Sequence, residues 1–158
     1  MTIIKNSYPE LQEIAYLKTK IEMPDVVIFA KSLVGKYSKE AVRMAYAIFR
    51  FESANGSKGV NNNYAGIQAD VGRWKNLPGN PVATCVKSDV ANNMRRFLCF
   101  DKEDGHKITF ELLCIKATER YIVTSMDYQK KWVGRTTPSQ VALKNFQSVL
   151  THAVVSIP

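Results

Sequence analysis

The chain has 158 residues, 46% hydrophobic and 23% charged, which fits a single globular domain over residues 1–158 with enough length to bury a core. Its formal net charge of +8 favours an acidic partner such as nucleic acid, an anionic membrane surface or an anionic wall polymer. The basic residues are dispersed (Lys18, Lys20, Arg43, Arg50, Arg95, Arg96, Lys130, Lys131), which argues against a nucleic-acid-binding arm, and no apolar run is long enough to span a bilayer.

The N-terminus, "MTIIKNSYPELQEIAYLKTK", lacks the basic start, apolar centre and small-residue cleavage site of a signal peptide. Synthesis in the cytoplasm is therefore the expectation. Residues 9–20 read as an amphipathic helix with Leu11, Ile14, Ala15 and Leu17 on one side. Pro24 opens a second helix, "DVVIFAKSLVGKY", stopped near Gly35. Ser38 is a natural N-cap for a third, "KEAVRMAYAIFRFE".

Gly56, Gly59, Gly66, Gly72, Pro78, Gly79 and Pro81 then punctuate a long irregular stretch. Two short β-like runs come next, "VATCV" and "RRFLCF", with a polar turn between them. After the "DKEDG" turn comes another helix, "KITFELLCIKATERYIV". The last helix carries an entry signal in Thr137 as N-cap, Pro138 at the first helical position and Gln140 closing a capping box. The expected fold class is α+β and mostly helical, with a small β-lobe after the third helix. Cys85, Cys99 and Cys114 have no close pairing and no metal spacing, and the two histidines, His106 and His152, lie far apart. Buried thiols are expected, with a structural disulfide between one pair as the alternative, and with no metal and no cofactor.

On a helical wheel of the third helix, Ala41, Ala45 and Ile48 fall together, flanked by Met44 and Phe49, with Lys39, Arg43, Tyr46 and Arg50 opposite. Glu52 lands within the apolar stripe. A carboxyl held against apolar surface loses hydration, which disfavours its charged form and keeps its proton available near neutrality, as a general acid requires. The bland alternative is a helix-end glutamate that reaches water. The chain continues as "SANGSKGVNNNYAGIQ", where small residues permit close backbone approach while Asn, Gln and Tyr offer hydrogen bonds and a flat ring. Sugars need that combination, and Asn63, Tyr64, Gln68 and Trp74 are its candidate carriers.

Together these residues resemble the lysozyme-like superfamily. The pair Glu52-Ser53, then Gly56, then "NNNYAGIQ" is similar to the "ES-G" and "NNLFGIK" signature of flagellar-type endo-β-N-acetylglucosaminidases. The "AGIQ" run equally resembles the "GLMQ" turn of lytic transglycosylases. Further on, "RRFLCFDKEDGHKITFELL" looks like the glucosaminidases' strand and turn before a helix, and "TSMDYQKKW" is similar to their "TDPNYAEKL" segment. The resemblance covers residues 41–133.

It implies a lysozyme-like domain with its β-lobe beside a substrate cleft, and cleavage of the N-acetylglucosamine/N-acetylmuramic acid backbone of peptidoglycan. Glu52 would be the catalytic acid, with Ser53 holding the carboxyl or a sugar group. Tyr64, Gly66, Ile67, Gln68 and Tyr128 would line the cleft. The glucosaminidases' second acid has no counterpart here before Asp89; Asp70 is another candidate, and Tyr121 stands near the place of their tyrosine. Two carboxylates about 5–5.5 Å apart would mean a covalent route, and a wider gap an activated water. With one, Glu52 would act as acid and then base, and the alternative product carries an anhydro-muramic end. The expected partner is the glycan strand in the periplasm or cell wall, after delivery by phage lysis or a secretion system, with an immunity protein as a second partner. No nucleic acid and no membrane insertion are expected. A non-catalytic cell-envelope binding protein of the same fold is the other reading.

Overall fold

The computed structural model describes residues 24–54, 56–59, 62–67, 82–87, 96–99 and 105–158. The amphipathic segment 9–20 lies outside them. The described residues are mostly helical: α1 is Pro24–Leu33, α2 Lys39–Ser53, α3 Gly105–Arg120, α4 Ser125–Asp127 and α5 Gln140–Ser156, with a π-helical turn, Tyr128–Val133, between α4 and α5. Strands β1, Val82–Lys87, and β2, Arg96–Cys99, pair antiparallel, with Val82 opposite Cys99 and Lys87 opposite Arg96 and an irregularity between Val82 and Val86.

Proline at the first position fits α1, because its missing N–H is one that a helix start leaves unbonded. Gly35, at φ 107, turns the chain out of α1 in a left-handed conformation that a side chain would strain. Lys36 then reaches across to α3, its Nζ 2.6 Å from Glu111 Oε1. Ser38 caps α2 as its type predicts, its hydroxyl accepting from Ala41 N at 3.1 Å.

Helix α2 packs on α1, α3 and α5. That enclosure corrects the one-sided wheel: Tyr46 and Arg50, placed on the polar side by periodicity, are 1% and 2% exposed. The Arg50 guanidinium lies over the Tyr46 ring, 5.7 Å from its centre, so two long side chains are covered together. Val42, Ala45, Ile48, Phe49 and Phe51 join Phe110, Leu112, Leu113, Phe146 and Val149 in one core. Cys114 belongs to it as a free thiol, and burial pushes its ionisation far up.

One helix start differs from expectation. The last helix begins at Gln140 with Ser139, not Thr137, as N-cap: the Ser139 hydroxyl accepts from Ala142 N at 3.2 Å. Ser139 sits in the extended conformation a cap needs and lies nearer the first buried residue, Ala142. The capping box appears instead at α4, where Thr124 and Asp127 bond each other's backbone N–H groups. Among the described residues no helix is long and apolar enough to cross a membrane.

Candidate active site

The end of α2 is built by its own hydroxyl. Ser53 donates from Oγ to Phe49 O and accepts from Gly56 N at 2.7 Å, while Ala54 closes the helix in a left-handed conformation (φ 48) and its N–H reaches Arg50 O. The Ser53 proton is thereby directed to the backbone, so this residue shapes the turn beside Glu52 instead of bonding its carboxyl.

Glu52 is buried, 7% exposed. The Tyr128 hydroxyl donates to its Oε1, and Trp132 supplies a second side-chain hydrogen bond to the same carboxyl. Burial holds the Glu52 pKa up at about 7, against an ordinary 4.5; the two donors favour the ionised form and pull the other way without prevailing. A carboxyl tuned in this way holds its proton at mildly acidic pH and releases it near neutrality.

Tyr128 and Trp132 reach the acid from one turn of the π-helical segment, a rare geometry that recurs at functional sites. Gly134 ends that turn at φ 83, where a side chain would strain the backbone. The Tyr128 ring stacks on Phe146 with centres 3.9 Å apart and planes 4° from parallel, and Phe51 meets both rings edge-on at 5.4 and 5.1 Å. Such pairs add about 0.5–1.5 kcal/mol each beyond burial. The hydroxyl on Glu52 is therefore carried by a ring that α2 and α5 clamp. Tyr128, expected among the glycan-lining residues, is wholly buried and touches the acid itself.

Loop 62–67 folds on α3. Asn63 is buried and turned inward: its Oδ1 accepts from Ile67 N at 3.0 Å and Ala65 N at 3.4 Å, and its Nδ2 donates to Ile67 O at 3.0 Å. It pins the loop rather than facing a ligand. Ile67 is a core residue, and Gly66, at φ 60, allows the bend between them. Tyr64 is half-buried, with its backbone N–H bonded to Thr109 Oγ1 at 3.2 Å and its ring beside His106. Tyr121 is 76% exposed just beyond α3, and it is Tyr128 that meets Glu52. Gln68, Asp70, Trp74 and Asp89 lie outside the described residues.

Comparison with protein-family models, with curated proteins and with solved structures finds no match for this chain.

Sequence reasoning passed over Trp132 and His106. The first had a signal, since Trp132 lies four residues after Tyr128 and would share its helical face. The second had none, because nothing near His106 in the chain announces Tyr64. Among the described residues no group of three or more His, Cys, Asp or Glu is placed to hold a metal ion.

Proposed function

We propose that this protein is a peptidoglycan glycosidase with a lysozyme-like domain, in which Glu52 is the general acid. One observation carries the reading: a carboxyl at the end of an enclosed helix, dried by its surroundings and held near neutral pKa, directly before a loop whose sequence resembles a glycan-binding turn. The helical frame with a β-hairpin between α2 and α3 is compatible with a β-lobe beside a cleft.

In this reading Glu52 gives its proton to the glycosidic oxygen as the bond to the anomeric carbon breaks. The carboxylate left behind is met by the Tyr128 O–H and a Trp132 hydrogen bond, which favour the charged form. Glu52 then takes a proton from the incoming nucleophile, and the acid is restored. Water as that nucleophile gives hydrolysis; the primary hydroxyl of the muramic residue gives an anhydro end. Hydrolysis remains the primary reading, with Asp70 or Asp89 as the second acid. The partners this implies are the wall glycan and, for a delivered enzyme, an inhibitor protein covering the cleft.

The test is digestion of purified peptidoglycan by wild-type protein and Glu52→Gln, with mass spectrometry of the reduced muropeptides. Reduced N-acetylglucosamine, reduced muramic and anhydro-muramic ends each name a different reaction. Clearance by the variant at the wild-type rate removes Glu52 from the chemistry, and binding without cleavage by the wild type favours a non-catalytic envelope protein.

A further inference from the structure

Helix α3 ends in a turn that suits glycine and is filled by tyrosine. The Ile122 N–H donates to Ala117 O at 3.1 Å and the Tyr121 N–H to Thr118 O at 3.5 Å, the pair of bonds that closes a helix through one left-handed residue. That residue is Tyr121, at φ 52, where a side chain strains the backbone. The ring gains little burial in exchange, since it is 76% exposed. Strain kept at an exposed aromatic points to a use for that side chain outside the fold.

Its neighbours extend the feature. Ile122 goes into the core, while Tyr121 and Val123 on either side of it stand out, Val123 at 57% exposure. Met126, also exposed, lies four residues before Lys130 on the continuous helical run 125–133, so the two share a face. Turn and helical run are tied together: Lys131 donates from Nζ to Tyr121 O at 3.0 Å, and Arg120 from Nη1 to Lys131 O at 2.9 Å. Arg120, Lys130 and Lys131 are all exposed. The one acid within 120–133 is Asp127. Its Oδ2 accepts from the backbone N–H groups of Val123 and Thr124, and its Oδ1 lies 3.7 Å from Lys131 Nζ. A fixed face with an excess of cations therefore carries three exposed apolar side chains.

We infer that this face docks on the surface of an anionic lipid bilayer. Single apolar side chains interleaved with cations, the most exposed of them a tyrosine, suit the headgroup layer. There Tyr121, Val123 and Met126 reach the boundary of the acyl region while the bases meet lipid phosphates. The interface core of a protein partner is depleted of charge, the opposite of this arrangement. The net charge of +8 draws the chain to the same surface at longer range. Docking of this kind is peripheral and needs no membrane-spanning helix. It uses the exposed side of the π-helical turn whose buried side holds Tyr128 on Glu52, and it stands independently of the chemistry at that acid.

The test is co-sedimentation of the wild-type chain with vesicles of phosphatidylcholine and phosphatidylglycerol in equal parts, and with vesicles of phosphatidylcholine alone. Binding is expected to the mixed vesicles only, and to fall as salt rises. Lys130→Ala weakens it about fivefold, the effect of one cation near an anionic surface. Tyr121→Gly weakens it about tenfold through lost apolar contact, while the melting temperature holds or rises because the left-handed strain leaves with the ring. A lowered melting temperature in Tyr121→Gly with vesicle binding intact overturns the inference, since the tyrosine then serves the fold. Equal binding to both vesicle types, or to neither, also overturns it. Binding to soluble polyglutamate that both variants lose, without binding to vesicles, overturns it in favour of an acidic protein partner.

Discussion

Replacing Glu52 by glutamine keeps the size of the side chain and an acceptor for Tyr128, and removes only the titration. In the fold this carboxyl binds its proton up to about pH 7, whereas in the unfolded chain it lets go near 4.5. Folding therefore takes up a proton between those values, and stability falls as pH rises through that window. Below it both states are protonated and burial carries no charge penalty; above it the fold holds a dry carboxylate and has lost that stability. The interval from 4.5 to about 7, at about 1.4 kcal/mol per pH unit, amounts to about 3 kcal/mol. Any constant effect of the amide shifts the two proteins' curves without changing their relative slope. The stability of Glu52→Gln relative to wild type thus rises by about 3 kcal/mol from pH 4 to pH 8, or about 6–12 °C in melting temperature for a domain of this size. Thermal melts of both proteins at unit pH steps provide the assay. Parallel curves across that range would refute the reasoning, because they would mean a carboxyl that ionises as freely folded as unfolded.

Tyr128→Phe removes a donor that favours the ionised acid, so under the proposed function the alkaline limb of the activity profile moves to higher pH; Trp132→Phe moves it the same way, and rates on peptidoglycan across pH check both. Gly105→Ala forces a Cβ to within 2.6 Å of the Asn62 side chain. Overpacking of this kind costs about 1–3 kcal/mol, read as a lowered denaturation midpoint. Ser38→Ala strips the N-cap of α2 and lowers stability by about 1 kcal/mol, which melting detects as a fall of about 2–4 °C.

Much of the frame was legible because it is written locally. The Ser38 cap, the proline opening α1, the glycine ending it and the two β-like runs are signals that neighbours in the chain settle among themselves. The burial of Glu52 was legible too, since the wheel placed it among Ala45, Ile48 and Phe49. The same wheel failed for Tyr46 and Arg50. Periodicity distinguishes the more apolar side of a helix but cannot count how many neighbours enclose it, and α2 has three. Asn63 left two readings open for a related reason: it satisfies its own loop, an arrangement that composition cannot separate from one facing a ligand. Tyr128 and Trp132 come from 76 and 80 residues further along, where only the assembled fold reveals that one π-helical turn serves one carboxyl.

The placement of the acid on α2 also governs how this region can move. With α1, α3 and α5 packed around it, the backbone of that helix opens to solvent only when much of the molecule does. Amide exchange through its middle turns is accordingly expected to be among the slowest of the described residues. Whatever moves around the Glu52 carboxyl, the helix that carries it stays anchored, so under the proposed function the acid is the fixed reference and the bound polymer is the part that adjusts.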